Sequence, residues 1–332
     1  MGLQLLAGDI GGTKTKLAVF QVSAEGLHAT AEQVFESRAY PRFSELIEEF
    51  LEAHRCDLAA ACLGVAGPVR DGRCATTNLP WEVDAAALAK LLGVYRAELL
   101  NDLQAMALGM LQLAPAEFVE LNPGHLNREG NRAVIAAGTG CGEALLYWDG
   151  RGYQAIATEG GHGDFAPNGP EQDALLVHLR AQFGGHVSYE RLLSGPGLFN
   201  IYRFLREREP AAESPEFAAA LGQGADPGRL IGEFADQRED GLCRRALRLF
   251  ASVYGAEAGN LALRGLAVGG VFVGGGIAPK ILRYLQEGGF LAAFCDKGRF
   301  GPLMRGISVK VATNPDVGLL GAAGRARQLA LV

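Results

Sequence analysis

With 332 residues, the chain is long enough for two domains of ordinary size, each with its own hydrophobic core. Hydrophobic residues make up 48% of it and charged residues 20%, proportions typical of a soluble globular protein. The net charge of −6 and the lack of any basic block argue against nucleic acid or an anionic membrane surface as a partner.

Two further features of the sequence favour a location in the cytoplasm. No apolar run is long enough to span a membrane, and the chain opens directly into a predicted strand without a signal sequence. The six cysteines show neither the C-x-x-C spacing of zinc sites nor the pattern of a disulfide framework, so we expect reduced thiols and no bound zinc.

The first predicted feature is a glycine-rich turn between two short strands, at residues 3–7 and 16–20. Glycine lets backbone N–H groups approach a polyphosphate, and an acid just before the turn is placed to hold Mg²⁺ on that phosphate. An ordinary β-hairpin is the alternative, because Gly-Gly is a common turn dipeptide. The turn matches neither a Walker A loop nor G-x-G-x-x-G. The candidate phosphate-binding residues are Gly8, Asp9, Ile10, Gly11, Gly12 and Thr13, with Asp9 as the metal ligand.

Strand and helix signals then alternate as far as residue 111. In chain order, the pattern predicts a helix over 43–51, a buried strand over 62–68, a helix from its cap at Asp84 to Leu91, a strand over 97–102 and a helix over 103–111. This alternation implies a mixed sheet with helices packed on it. The signal pauses around residues 113–115, which we interpret as a hinge into a second domain.

The second domain is predicted to be richer in helices. In chain order, the predictions are a strand over 132–137, helices over most of 171–262 with loops near Gly195 and Ala225, a strand over 271–273 and a helix over 319–331 that folds back on the first domain. We therefore predict a small α/β domain of residues 1–112 plus 304–332 and a large α+β domain of residues 113–303.

Two more glycine clusters end strands of the second domain. The cluster Gly138-Thr139-Gly140 lies between a strand and another apolar run, and so repeats the strand-turn-strand pattern of the first turn. The cluster Gly274-Gly275-Gly276 ends a strand before a predicted helix. Taken singly, these clusters are also explained by a tight hairpin and by a helix start that needs conformational freedom. Three such loops in this order favour nucleotide binding more than any one of them.

Asp102 is the candidate catalytic base. Phosphoryl transfer to an alcohol needs a carboxylate that accepts the hydroxyl proton, and Asp102 stands at the end of a predicted strand. Asn101 and Asp102 are also favoured helix N-caps, and a helix follows them. Both interpretations stay open, because a capping residue can also act as the base.

Three polar residues of the second domain are candidate ligands of a small polar molecule. Glu159 and His162 are separated by two glycines, so both can reach the hydroxyls of one sugar; a zinc site without cysteines and a surface histidine are the alternatives. Glu190 follows Ser188 by two residues and misses the N3 position of a capping box, which favours a ligand over a solvated acid.

Together these segments resemble the bacterial ATP-dependent glucokinases that lack the zinc motif of the repressor/ORF/kinase family. The resemblance spans nearly the whole chain and rests on G-D-I-G-G-T (8–13), T-N-L-P-W (77–81), L-N-D (100–102), G-T-G (138–140), E-G-G-H-x-D-F-A-P (159–167), E-R-L-L-S-G-P-G-L (190–198), G-G-V-F-V-x-G-G-I (269–277) and A-A-F-x-D-K-G-R-F (292–300). It implies a two-domain actin-like ATPase (ribonuclease H-like) fold of the α/β class, with a cleft between a smaller α/β domain and a larger α+β domain.

The resemblance also implies ligands and roles. ATP with Mg²⁺ would occupy the glycine loops, Asp102 would be the base, and the protein would be a homodimer. The residues expected near glucose are Asn78, Asn101, Asp102, Glu159, His162 and Glu190. The zinc-binding cysteines of the repressor/ORF/kinase family are absent, so His162 is not expected to bind metal. Glu143 departs from the family, since it puts an acid beside the second glycine loop where an apolar residue is usual.

The expected reaction is transfer of a phosphoryl group from MgATP to the 6-hydroxyl of glucose, giving ADP and glucose 6-phosphate for glycolysis. A kinase for another hexose, such as mannose or fructose, is the first alternative. A non-catalytic sugar sensor is disfavoured because the first glycine turn begins by residue 8, before any helix-turn-helix. An NAD-dependent enzyme fits least, because neither of the first two glycine clusters matches the dinucleotide fingerprint.

Overall fold

The computed structural model describes residues 2–24, 26–76, 79–125 and 129–331. In chain order its strands are β1 (Gln4–Ile10), β2 (Lys14–Ser23), β3 (Gly26–Glu36), β4 (Leu58–Val65), β5 (Arg73–Ala75), β6 (Glu82–Asp84), β7 (Arg96–Asn101), β8 (Phe118–Asn122), β9 (Arg132–Ala137), β10 (Cys141–Trp148), β11 (Tyr153–Ala157), β12 (Gly270–Gly274) and β13 (Val309–Ala312). Its helices are α1 (Phe43–Ala53), α2 (Ala85–Leu92), α3 (Asp102–Met110), α4 (Pro170–Phe183), α5 (Gly195–Arg208), α6 (Pro215–Gly222), α7 (Pro227–Gln237), α8 (Gly241–Gly265), α9 (Leu282–Gln286), α10 (Gly289–Cys295), α11 (Gly301–Gly306) and α12 (Val317–Ala330). No helix within the described ranges is long and apolar enough to cross a membrane.

The chain forms two compact units. The first comprises Met1–Glu117, Ala155–Ala157 and Asn314–Val332, and the second comprises Phe118–Gln154 and Thr158–Thr313. The C-terminal boundary differs from the predicted one, because β13 pairs with β12 and β8 and so joins residues 304–313 to the second unit. The predicted return of the last helix is confirmed, since α12 packs on α3, β4 and β1 of the first unit.

The first unit is built on a sheet with the strand order β3-β2-β1-β4-β7. Side chains alternate along β1, so Leu6 and Ile10 join a core with α1 and α2, whereas Leu5 and Ala7 join a core with α12. Helix α1 buries Phe43, Leu46, Ile47 and Phe50 at helical spacing, and each such side chain contributes roughly 1.5–3 kcal/mol. Helix α2 begins at Asp84, whose carboxylate accepts a hydrogen bond from Ala87 N, as predicted.

Three parallel strands of this sheet end together. Strands β1, β4 and β7 run in the same direction, and the register aligns Ile10 with Val65 and Val65 with Asn101. The first glycine turn follows β1, and Asp102 follows β7. Both candidate features therefore lie at the carboxyl edge of one sheet, where ligands of open α/β sheets bind.

The second unit repeats this arrangement on a sheet with the order β11-β10-β9-β12-β13-β8. Strands β9 and β12 are parallel, and the register aligns Ala136 with Gly274, so the second and third glycine loops follow at one edge. The helices pack around α8, most of which is buried. The predicted interruptions near Gly195 and Ala225 are confirmed, because no α-helix covers residues 184–194 or 223–226; the first ends at Ser194, whose hydroxyl caps α5 through Gly197 N, so Gly195 itself is already helical.

Candidate active site

The first glycine turn is held by hydrogen bonds to its own backbone and to a neighbouring 3₁₀ turn. Gly11 N donates to the Lys14 carbonyl oxygen at 3.0 Å. Ser37 N donates to the Thr13 carbonyl oxygen at 2.9 Å, and the Ser37 hydroxyl donates to the Gly11 carbonyl oxygen at 2.8 Å. The predicted strand-turn-strand is confirmed, and these bonds fix its conformation at the edge of the first sheet.

Asp9, at the end of β1, carries an unusual charge environment. Desolvation and the nearby charges of Asp102 and Asp316 raise the pKa of the Asp9 carboxyl to about 6. Lys16 opposes that shift, but its ammonium group is already paired with Asp316 at 2.9 Å and with Glu32 at 3.0 Å. This excess of carboxylate charge would be relieved by a bound cation.

Carboxylate oxygens are the donors that Mg²⁺ prefers, so the residues around Asp9 fit this ion by chemistry. In the described part of the chain, no group of three or more His, Cys, Asp or Glu side chains is arranged to hold a metal ion. A magnesium ion at Asp9 would therefore draw most of its ligands from phosphate oxygens and water, as Mg²⁺ commonly does beside nucleotides.

Strand β7 passes directly into α3, and Asn101 caps that helix. The Asn101 side-chain oxygen accepts a hydrogen bond from Leu103 N at 3.0 Å, and Gln104 Oε1 accepts one from Asn101 N at 3.1 Å. Asn101 Nδ2 donates to the Gly67 carbonyl oxygen at 3.2 Å. Asp102 is instead the first helical residue; its Oδ1 accepts from Leu103 N at 2.9 Å, and its side chain stays partly exposed. The capping role predicted for either residue thus belongs to Asn101.

The second glycine loop is a tight turn between β9 and β10, as predicted. Gly138 N donates to the Gly140 carbonyl oxygen at 2.8 Å, and the Gly138 carbonyl oxygen accepts from Gly195 N at 2.9 Å. Glu190 reaches this loop, because its Oε2 accepts a hydrogen bond from Cys141 N at 3.0 Å. The structure therefore brings one predicted sugar ligand directly beside one predicted phosphate loop.

The third glycine loop packs against the second. Gly275 has φ +81°, and a Cβ there would overlap the Ala137 carbonyl oxygen, so this position requires glycine. The buried Tyr254 hydroxyl accepts a hydrogen bond from Ala137 N at 3.1 Å and lies 3.3 Å from the Gly274 carbonyl oxygen. Tyr254 thus ties the ends of β9 and β12 together. The third loop differs from the prediction in one respect, since a 3₁₀ turn (Ala278–Ile281) precedes α9.

The predicted sugar ligands Glu159 and His162 lie on a segment that is joined to the Glu190 segment. Phe165 N donates to the Val187 carbonyl oxygen at 2.8 Å, and Tyr189 N donates to the Gly163 carbonyl oxygen at 3.1 Å. The His186 ring bridges the same region, with Nδ1 2.8 Å from Asp164 Oδ1 and Nε2 3.1 Å from the His162 carbonyl oxygen. The two segments therefore form one structural piece.

Glu159 precedes a single 3₁₀ turn (Gly160–His162) and His162 ends it; the turn is closed by a hydrogen bond from His162 N to the Glu159 carbonyl oxygen at 3.0 Å. Both side chains are exposed, and Glu190 is partly buried. Asn78 lies outside the described residues.

Several polar residues that support these segments were not singled out from the sequence. They are Tyr189, Tyr254, Glu257, Asn260 and Arg264. A detectable signal existed for Glu257, which is an acid in the apolar middle of a helical segment, whereas Glu143 was already noted as an unusual acid beside the second glycine loop.

Comparison with known proteins gives a consistent result. The family model described as Glucokinase matches residues 6–329. A glucokinase from Nostoc punctiforme is 41% identical over 96% of this chain and 97% of its own length. A glucokinase from Yersinia pestis is 38% identical over 97% of this chain and 96% of its own length.

Solved structures of glucokinases have a fold similar to that of this chain. A glucokinase from an Antarctic psychrotroph superposes with a TM-score of 0.85 at 28% identity, covering 98% of this chain and 99% of the other. A ROK family glucokinase from Streptomyces griseus, crystallised with glucose and AMPPNP, has a TM-score of 0.67 at 23% identity, covering 98% of this chain and 99% of the other, and shows the fold alone.

The chain has two sheets, each with a glycine turn at its carboxyl edge, and its overall fold matches these structures. This fold is that of the sugar kinases of the actin-like ATPase class. The family model matches nearly the whole sequence, and curated relatives are about two-fifths identical to it, so the chain can be assigned to one family within this class. The chain belongs to the glucokinase family.

Proposed function

We propose that this member of the glucokinase family transfers the γ-phosphoryl group of MgATP to the 6-hydroxyl of glucose. The observation that carries the proposal is the position of Asp102, a partly exposed carboxylate at the same sheet edge as the first glycine turn. Support for the substrates comes from the family's name and from the S. griseus relative, which was crystallised with glucose and AMPPNP.

Asp102 acts as the general base in this proposal. Its carboxylate accepts the proton of the 6-hydroxyl while the hydroxyl oxygen attacks the γ-phosphorus in line. The hydrogen bond from Leu103 N to Asp102 Oδ1 orients the carboxylate. Asn101 keeps the end of β7 and the start of α3 in fixed relation, since its side chain bonds to Leu103 N and to Gly67 O.

The glucose hydroxyls are proposed to bind the side chains of Asn78, Asn101, Glu159, His162 and Glu190. Asn101 lies in the first unit, and Glu159, His162 and Glu190 lie in the second. One Glu190 oxygen already accepts from Cys141 N, and a carboxylate has capacity for further hydroxyl donors. The exposed Glu159 and His162 present an acceptor and an adjustable donor on one turn.

ATP is proposed to lie against the three glycine loops. Backbone N–H groups of residues 8–13 and 138–140 would contact its phosphates, apart from those of Gly11 and Gly138, which are already bonded within their turns. Thr13 would add a hydroxyl donor, and residues 274–276 would lie beside the adenosine, where side chains would obstruct the purine. Mg²⁺, when bound, would be held by Asp9 and would neutralise charge on the phosphoryl oxygens.

Two finer features of the proposal rest on the resemblance described above: a homodimeric assembly and a place in glycolysis. A third, a cytoplasmic location, rests on the sequence, in which the spacing of the six cysteines predicts reduced thiols.

The proposal is tested by measuring kcat/KM for glucose, mannose and fructose with MgATP in an assay that couples ADP release to a dehydrogenase. We expect glucose to have the highest kcat/KM, and AMPPNP to give no turnover. A higher value for mannose or fructose would assign the enzyme to that hexose instead. Sugar binding without any turnover would favour a non-catalytic sensor.

A further inference from the structure

Two acids form a buried pair beneath the proposed sugar-binding segments. Glu143 lies on β10 with 1% of its surface exposed, and Glu257 lies in the middle of α8 with 0% exposed. Burial, the charge of Glu257 and a hydrogen bond with it raise the pKa of the Glu143 carboxyl, and Glu143 Oε1 has no hydrogen-bond partner among the described residues, so the proton is held on this pair. Arg264 Nη1 donates to Glu257 Oε1 at 2.6 Å, so one shared proton leaves a single negative charge that the guanidinium balances.

Glu143 supports the turn that carries Glu159 and His162. A Cβ on Gly160 would overlap Glu143 Oε2, so the backbone of this turn rests directly on the carboxyl group. The Thr158 hydroxyl donates to the Glu143 carbonyl oxygen at 2.9 Å and accepts from Gly160 N at 3.2 Å. A shift of the Glu143 side chain would therefore displace the turn between the two proposed ligands.

Glu257 supports the residue next to Glu190. The buried Tyr189 hydroxyl hydrogen-bonds to Glu257. Asn260 Nδ2 donates both to Glu257 Oε2 at 2.9 Å and to the Tyr189 hydroxyl at 3.1 Å. Ala166 N also donates to this hydroxyl at 3.4 Å, so the hydroxyl hydrogen is left to be donated to Glu257. The pair is therefore connected to both segments that carry the proposed ligands.

We propose that Glu143 and Glu257 are positioning residues that share one proton and hold the Glu159–His162 turn and the Tyr189–Glu190 segment in the geometry that binds the sugar. This inference rests on the function proposed above. Nothing in it requires either acid to touch substrate, because both act through the backbone turn and the tyrosine.

The proton stays on the pair because of its surroundings. Burial first, and then the charge and hydrogen bond of Glu257, raise the pKa of the Glu143 carboxyl, whereas Arg264 lowers it. Other titratable groups that face the pair are the Cys141 thiol beside Glu143 and Glu257, the Tyr254 hydroxyl beside Glu143, the Tyr189 hydroxyl and Lys297 beside Glu257. When the pH rises through this raised pKa, the second carboxyl ionises, the two charges repel and the support weakens.

The first test compares glucose KM across variants. Glu143→Leu removes the hydrogen-bonding group, and Tyr189→Phe removes only the hydroxyl. We expect each to raise glucose KM about tenfold to a hundredfold while KM for ATP stays close to that of the wild type. Glu143→Gln keeps the hydrogen bond without a shared proton and should restore a glucose KM near the wild-type value. Asp240→Asn, at a buried acid that caps the same helix through Cys243 N, is the matched control and should leave glucose KM unchanged.

The second test is the pH profile, which also decides the matter if Glu143→Leu does not fold. Glucose KM of the wild type should rise at alkaline pH, and that of Glu143→Gln should stay flat. Parallel profiles, or an unchanged glucose KM in both Tyr189→Phe and Glu143→Leu, would overturn the inference. Wild-type turnover of glucose tests the proposed function separately. If another hexose is the substrate, the same variant-to-wild-type ratios measured with that hexose test the positioning role.

Discussion

At the scale of single residues, the structure assigns the helix-capping role to one of two neighbouring polar residues and leaves the other for the proposed role of base. Asn and Asp are both favoured N-caps, so the pair Asn101-Asp102 before a helix could not be divided by residue type alone. The capping box with Gln104 assigns the cap to Asn101. Asp102 then occupies the first turn of α3, where a negative side chain interacts favourably with the helix dipole, and its carboxylate is left available for the role of base.

Asp9 gives a prediction about pH at the same scale. Because the pKa of this carboxyl is raised to about 6, its proton competes with Mg²⁺ at pH values where other carboxylates are ionised. The apparent Mg²⁺ affinity should fall as the pH decreases below about 6, by up to about tenfold per pH unit for a single proton. Asp9→Asn should bind Mg²⁺ more weakly at every pH and lose this dependence. The Mg²⁺ dependence of turnover from about pH 5 to pH 8 measures both effects.

The raised pKa of Asp9 also affects the stability of the fold. Its effect has the opposite pH dependence to that of an ordinary ion-paired acid, whose pKa is lowered. The folded protein binds the Asp9 proton more tightly than the unfolded chain does, so the contribution of Asp9 to the free energy of unfolding falls as the pH rises from 3.8 to about 6.

For the Mg²⁺ measurement, Asp84→Asn is a suitable control, because Asp84 is a helix cap of the same unit. A Mg²⁺ profile of Asp9→Asn identical to that of the wild type would reject the metal role.

At the scale of elements, the glycine loops allow binding to be separated from folding. A Cβ on Gly138 meets no atom within 4 Å, and the residue does not have a positive φ. Gly138→Ala should therefore fold with an unchanged Tm and raise KM for ATP about tenfold or more, if a phosphate approaches the backbone there. Gly152→Ala, at an equally open position in the turn between β10 and β11, should change neither quantity. Unaltered ATP binding by Gly138→Ala would exclude this loop from the phosphate site.

Elements with a strong internal pattern were predictable, whereas those defined by their neighbours were not. Helix α1 follows from the helical spacing of its apolar residues, and α2 follows from its cap at Asp84. Strand β3 was missed because it lies at the sheet edge and exposes most of its side chains, so it has no clear apolar alternation. The helical position of Gly195 was missed because glycine and proline normally indicate a loop, whereas Pro196 here lies in the first turn of α5.

At the scale of the whole molecule, local motifs were recognisable in the sequence but their supporting contacts were not. The three glycine loops, Asp102 and Glu159 each stand in a short motif. The contact between Glu143 and Glu257 joins residues far apart in the chain, and no local pattern specifies such a pairing. The same holds for the hydrogen bond between Glu190 and Cys141.

The proposed glucose ligands come from distant parts of the sequence, which predicts a response to glucose. In the proposed function one sugar contacts Asn101 and Asp102 as well as Glu159, His162 and Glu190, so its binding orders segments that are far apart in the chain. We expect the radius of gyration measured by small-angle scattering to decrease when glucose is added, and ATP hydrolysis without sugar to be slow. Unchanged scattering together with brisk ATPase activity in the absence of sugar would contradict this expectation.

The central claim is that Asp102 accepts the proton of the glucose 6-hydroxyl, and Asp102→Asn tests it most directly. An amide can still hydrogen-bond but cannot take the proton, so kcat should fall on the order of 10²–10⁴-fold while the glucose Kd from titration calorimetry changes little. Since Asn101 is the helix cap, Tm should also be preserved. A variant that retains more than about a tenth of the wild-type kcat would contradict the account, because general-base catalysis contributes far more than that.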